Sequence, residues 1–110
     1  MRLKSILFLT VFLSILFALT VNSTQIWSET IVVEGGKSLH WSLPKNCSQA
    51  VLKGINWLDD KLIVTDLKTG IKYTLYGKGS YPMTVYKGTN LLLENDNQLN
   101  FSIKVTYYSD

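Results

Sequence analysis

From Ile31 onward the chain is patterned with a period of two. Leu39, Trp41 and Leu43 alternate with Ser38, His40 and Ser42, and Ile71, Tyr73 and Leu75 alternate with Lys72, Thr74 and Tyr76. Tyr81, Met83 and Val85 alternate with Pro82, Thr84 and Tyr86, and Phe101, Ile103, Val105 and Tyr107 with Ser102, Lys104, Thr106 and Tyr108. A period of two puts one set of side chains on each face of a half-buried strand, and β-branched and aromatic residues suit that surface. Leu62-Ile63-Val64 and Leu91-Leu92-Leu93 are unbroken apolar runs, as expected of central strands. Turn residues separate the runs at Pro44-Lys45-Asn46, Asp59-Asp60, Lys68-Thr69-Gly70, Gly77-Lys78-Gly79-Ser80, Gly88-Thr89-Asn90 and Asn95-Asp96-Asn97. Gly35-Gly36, between the Ile31–Glu34 and Lys37–Leu43 runs, reads as a hairpin turn. Ala50–Trp57 reads as a strand; Val51, Ile55 and Leu58 also fit helical spacing, but Gly54 weakens a helix by about 1 kcal/mol relative to Ala. Short strands spaced by about 8–12 residues predict an all-β domain: a single antiparallel sandwich of about seven or eight strands, over residues 24–110.

The N-terminus has a different pattern. Arg2 and Lys4 precede an apolar run from Ile6 to Val21, the charged n-region and apolar h-region of a secretory signal helix. Small residues allow cleavage after Ser23 or after Thr20. The other reading is a retained membrane anchor over residues 6–21, although that run falls short of the roughly 20 residues a membrane span needs. The expected destination is therefore secreted or extracytoplasmic, with membrane attachment only if the segment is kept.

Charge and cysteine content then narrow the chemistry. The 110 residues carry 11 basic and 8 acidic side chains. Without Arg2 and Lys4 the balance drops to +1, leaving no electrostatic footprint for nucleic acid. Cys47 is the only cysteine, so an internal disulfide is impossible and the domain relies on its core, its sheets or assembly. Cys47 is a candidate for an intermolecular disulfide. Asn46-Cys47-Ser48 and Asn100-Phe101-Ser102 are acceptor triplets for N-glycosylation in a secretory context, and Asn22-Ser23-Thr24 would be lost or terminal after cleavage.

Catalytic signals are thin. His40 and Cys47 could form a nucleophilic dyad only if brought together, yet His40 points opposite to Leu39, Trp41 and Leu43 and hence outward. One His and one Cys are too few for a zinc site. Asp59, Asp60 and Asp66 are the carboxylates a small hydrolase would use, which needs a pair held about 5–10 Å apart. Asp59-Asp60 and Glu94–Asn97 are oxygen-rich turns that would offer part of a calcium site if they met; ordinary turn chemistry explains them equally. No cofactor or metal is expected. Among the aromatics, Trp41, Tyr73, Phe101 and Tyr107 share faces with aliphatic residues and read as core. Tyr76, Tyr86 and Tyr108 fall on the opposite parity and are candidates for an exposed ligand-binding platform.

The order of segments carries a resemblance. Ile31-Val32-Val33 leads to Leu39-His40-Trp41-Ser42-Leu43-Pro44, then Val51-Leu52-Lys53-Gly54 and Leu62-Ile63-Val64-Thr65-Asp66. Leu93-Glu94-Asn95-Asp96-Asn97 and Phe101–Tyr108 close the chain. This resembles the Golgi-dynamics (GOLD) type β-sandwich and related small secreted prokaryotic sandwiches, in which a strand ending in Asn precedes a final alternating strand with a basic residue. The cysteine pair and C-terminal membrane helix of the eukaryotic cargo receptors have no counterpart in this sequence, so a cargo-receptor role does not carry over. Jelly-roll, GOLD-like and immunoglobulin-like arrangements all fit the strand count. The resemblance implies a non-catalytic extracellular module that binds a protein or glycan at the cell surface. The alternatives are a structural subunit that forms homo-oligomers by exchanging the strand Thr24–Glu34, and a small secreted hydrolase.

Overall fold

The structure, a computed structural model, describes residues 24–110. The signal or anchor segment and the Asn22 triplet lie outside the described residues. Eight strands follow one another: β1(Ile26–Val33), β2(Ser38–Ser42), β3(Cys47–Gly54), β4(Lys61–Asp66), β5(Lys72–Tyr76), β6(Met83–Tyr86), β7(Asn90–Glu94) and β8(Phe101–Ser109). They form two antiparallel sheets of four, ordered β1-β8-β3-β6 and β2-β7-β4-β5. The first and last strands are neighbours and the chain crosses repeatedly between sheets. This is the order of an eight-stranded jelly roll; an immunoglobulin sandwich would group its strands differently.

The alternation sets which faces meet. Phe101, Ile103, Val105 and Tyr107 of β8 point inward with Ala50 and Leu52 of β3; Leu91 and Leu93 of β7 point inward with Leu62 and Val64 of β4. These four central strands supply most of the core. The strand expected over Ala50–Trp57 holds only as far as Gly54: β3 starts three residues earlier, at Cys47, and Ile55–Trp57 lie beyond its end, where the chain turns to bond with Ser102 and Gly77.

Three expectations change. Gly35-Gly36 does not close a hairpin: β1 pairs with β8 and β2 with β7, so the turn carries the chain from one sheet to the other. It is held by Lys37 N–H donating to Glu34 O at 3.1 Å and Gly36 N–H to Asn97 O at 3.0 Å. A Cβ on Gly35 would sit 2.2 Å from Gln98 O, so glycine is needed for the loop after β7 to pack there. Tyr73 and Ile71 are exposed, because β5 borders its sheet and only Leu75 of that face reaches the core. Tyr81 precedes β6, at φ 55° and 81% exposed, instead of pointing inward with Val85.

One buried polar side chain organises an end of the sandwich. Asn95 follows β7 and is 1% exposed. Its Nδ2 donates to Val33 O and to Leu99 O, both at 2.9 Å. Its Oδ1 accepts from Asn97 N–H at 3.0 Å and Asn97 Nδ2 at 2.8 Å. Asn97 Nδ2 also donates to Lys61 O at 3.0 Å. The loop after β7 therefore reaches the first residue of β4, and its side-chain amides serve the main chain.

Candidate binding groove beside Trp57

Beyond Gly54 the chain leaves β3 while still tied to both sheets. Gly54 has no room for a Cβ, which would fall 2.1 Å from Tyr76 O. That close approach brings the ends of β3 and β5 together across the two sheets. Ile55 N–H donates to Ser102 O at 3.0 Å, and Asn56 N–H to Gly77 O at 2.6 Å. Asn56 Oδ1 accepts from Ser102 N–H at 2.8 Å. With residue 56 clamped from both sides, the next residue is thrown outward, and Trp57 is 96% exposed.

Beneath it runs a groove of about 380 Å³. Ile55, Trp57, Leu58 and Leu99 supply its apolar surface; Asn56, Asp60, Asn100 and Ser102 supply polar groups. Ile55, Leu58 and Leu99 are 44%, 56% and 62% exposed, so the apolar surface is open to solvent. Asn56 Nδ2 is buried and has no hydrogen-bond partner among the described residues. Asp60 is the only charged residue in the lining, and its backbone oxygen accepts from Gly77 N–H at 2.7 Å. An indole face, an apolar wall and several hydrogen-bonding groups suit a ligand with one apolar face and a polar edge, such as a sugar ring.

The tyrosines expected to form a platform are divided. Tyr108 and Tyr86 both lie opposite Gln49, in β8 and β6 on either side of β3, and Ile26 extends that row on β1. They share the outer face of one sheet, with Tyr86 62% exposed and Tyr108 half-buried. Tyr76 belongs to the other sheet. Its ring lies 6.0 Å from that of Tyr81, and Lys61 Nζ is 6.0 Å from its centroid. Three tyrosines at one parity thus do not make one surface. Trp57 was hidden from a parity argument because it falls past the end of its strand; a tryptophan directly before Leu58-Asp59-Asp60 is the only local signal of it.

The remaining candidate residues fall as follows. Asn46 and Asn100 are both exposed. Asn100 lies in the wall of the groove, and its Oδ1 accepts from Gly35 N–H at 3.2 Å. Cys47 is 0% exposed, inside the start of β3. Burial pushes its thiol pKa up; nearby Asp110 adds to the rise and Lys87 opposes it. The first residues of β3 would have to open before Cys47 could meet a second chain. His40 faces outward from β2 in the other sheet, so the two do not form a dyad. Asp60 and Asp66 sit at opposite ends of β4, about 20 Å apart for an extended strand of this length. Asp66 Oδ1 caps its own turn, accepting from Lys68 N–H at 2.9 Å and Thr69 N–H at 3.3 Å. Asp59 Oδ1 accepts from Lys78 N–H at 3.4 Å. Among the described residues no three His, Cys, Asp or Glu side chains gather closely enough to hold a metal ion. Among them, too, no helix is long and apolar enough to cross a membrane.

At the end of the sandwich away from the groove, the core has an aromatic cluster. Trp27 stacks on Tyr107 at 5.4 Å and 21°, and Trp41 lies 6.5 Å from the same ring. The Tyr107 hydroxyl donates to Glu29 Oε1. Burial, reinforced by that bond, pushes the Tyr107 phenol up to about 12.

No protein-family model matches this chain, and no curated protein does. Solved structures do resemble it in shape. An oxalate oxidase in complex with the substrate analogue glycolate superposes with a TM-score of 0.56 at 11% identity, over 76% of this chain and 42% of the other. Recombinant oxalate oxidase in complex with glycolate gives 0.55 with the same identity and coverage. The chain thus spans less than half the length of these oxidases, and the likeness is one of fold. A protein of the disulfide-linked pili that form Bacillus endospore appendages aligns at 10% identity and a TM-score of 0.46, over 80% of this chain and 90% of that one.

Proposed function

We propose that the chain is a non-enzymatic binding module of the cell exterior, and that it holds a glycan in the groove beside Trp57. One observation carries the reading: a tryptophan 96% exposed stands over a groove lined half by apolar side chains and half by amide, hydroxyl and carboxylate groups. Leaving an indole in water forgoes the stabilisation its burial would bring, about 2 kcal/mol or more for a ring of this size. A sugar ring restores that contact through its C–H face while its hydroxyls reach Asp60, Asn100 and Ser102. The oxidase activity of the fold neighbours forms no part of this reading.

The test is binding to an immobilised panel of oligosaccharides and glycosylated proteins, with Trp57→Ala beside the parent. A central aromatic anchor is worth about 2 kcal/mol or more, so Trp57→Ala should weaken capture roughly thirtyfold. Tyr86→Ala and Tyr108→Ala should change it little. Equal capture by Trp57→Ala refutes the site. Capture of unglycosylated protein alone, still dependent on Trp57, keeps the groove and replaces the glycan by a protein partner.

A further inference from the structure

Among the described residues, nothing pairs with one side of the long border strand β1. Among the described strands it pairs with β8 only. Ser109 N–H donates to Gln25 O at 2.9 Å, which fixes the phase of that ladder. Backbone groups of an antiparallel strand alternate in direction. Trp27, Glu29, Ile31 and Val33 therefore bond to β8, while Ile26, Ser28, Thr30 and Val32 aim their N–H and C=O groups away from the domain. Natural edges are blunted by Pro, Lys, bulges or short length. Ile26–Val33 has eight residues, no Pro, no Lys and an unbroken register. Its single charge, Glu29, accepts the Tyr107 hydroxyl.

Apolar side chains flank this edge on both faces. Ile26 and Val32 are 63% and 47% exposed on the outer face. Trp27 is 37% exposed on the inner face, and Leu39 of the neighbouring border strand β2 is 37% exposed as well.

We infer that a second copy of this chain covers the edge, β1 against β1, antiparallel about a two-fold axis. The free backbone groups belong to even-numbered residues, which restricts the register. Centring the axis on Glu29 sets two carboxylates opposite one another, an unfavourable cross-strand pair. Centring it on Thr30 pairs the two Thr30 residues and sets each Ser28 against Val32 of the second copy. It places Trp27 opposite the other copy's Val33 and Glu29 opposite Ile31. Thr–Thr is a favourable cross-strand pair. Because β1 and β2, joined through Gly35-Gly36, border their sheets on the same side of the sandwich, with Trp27 and Trp41 against the same Tyr107 ring, the same axis extends both sheets and brings Leu39 into the joint. An unrelated extended peptide could satisfy β1 but would leave β2 uncovered. The pairing is isologous, so it closes at a dimer. It is independent of the groove proposal.

The experiment is sedimentation velocity over a concentration series on the chain as its host produces it, with Thr30→Pro and Thr30→Lys. Thr30 N–H points away from β8, so proline there removes a free-edge donor and leaves the internal ladder intact. Both hydrogen bonds at the axis vanish in Thr30→Pro, which should raise the dimer dissociation constant by about tenfold to hundredfold. Thr30→Lys should do likewise by charging the edge, and circular dichroism should match the parent for both. Amide exchange at Ile26, Ser28 and Val32 should be slow in the parent and fast in the variants. A parent that stays monomeric at its highest soluble concentration overturns the inference. So does a dimer that both folded variants leave intact, or one whose Ile26, Ser28 and Val32 amides exchange freely.

Discussion

Replacing Asn95 by Ala removes four hydrogen bonds from one end of the sandwich at once. The side chain donates to Val33 O and Leu99 O, and accepts from the main-chain and side-chain N–H groups of Asn97. The bond to Val33 O is buried, so deleting its donor strands a carbonyl with no water to replace it. A buried polar group left unpaired costs about 1–3 kcal/mol, and bonds nearer the surface about 1 kcal/mol each before water compensates. Asn95→Ala should therefore cost about 2–4 kcal/mol, a large part of the 5–15 kcal/mol typical of a domain. Asn95→Asp separates the donors from the shape. A carboxylate there faces two carbonyl oxygens and can donate to neither unless protonated, so its folded pKa should rise above the unfolded value near 3.9. A raised folded pKa gives stability that is complete below the unfolded pKa and lost as pH rises through the folded one. Urea midpoints at about pH 4 and pH 8 should place Asn95→Asp close to the parent at the lower pH and well below it at the higher. A loss under about 0.5 kcal/mol in Asn95→Ala, or an Asn95→Asp deficit independent of pH, would refute the assignment of Asn95 as the tie between β1, β7 and the loop before β8.

Other expectations follow from single contacts. Gly54→Ala places a Cβ 2.1 Å from a backbone oxygen and should cost several kcal/mol or prevent folding. Gly70→Ala, where the added atom meets nothing but φ is +76°, should cost only about 1 kcal/mol; comparable melting temperatures for the two would refute the close approach of β3 and β5. Tyr107 has a folded pKa near 12 against 10 unfolded, so its contribution is complete below pH 10 and is lost between about pH 10 and 12. Alkaline denaturation monitored by tyrosinate absorbance should show this window, and Tyr107→Phe should remove it. Thr65 Oγ1 is buried with no partner among the described residues, so Thr65→Val should be neutral or raise stability by about 1 kcal/mol in chemical denaturation.

The sequence is most readable where one strand face is buried from end to end. Phe101, Ile103, Val105 and Tyr107 alternate cleanly because β8 lies between β1 and β3 beneath the opposite sheet. The pattern loses meaning at borders: Ile71, Tyr73 and Leu39 hold inward parity yet stay exposed, since few atoms cover the rims. Sheet membership is not a local property. Gly35-Gly36 has the chemistry of a hairpin turn, and only contacts with Asn97 and Gln98, far along the chain, show that it joins two sheets. Asn95 has the composition of a solvated turn, and its burial depends on Val33, 62 residues away. Trp57 escapes for a related reason, because its exposure follows from the clamp on Asn56 by Gly77 and Ser102 and not from its neighbours in sequence.

The groove is tested most directly by saturation-transfer difference NMR on the chain mixed with soluble glycans released from its host's surface. The account predicts transfer to sugar ring protons, lost in Trp57→Ala and retained in Tyr86→Ala and Tyr108→Ala. Transfer that survives Trp57→Ala but disappears with the two tyrosine variants would contradict it, and would move the binding surface to the outer face of the sheet that carries Gln49.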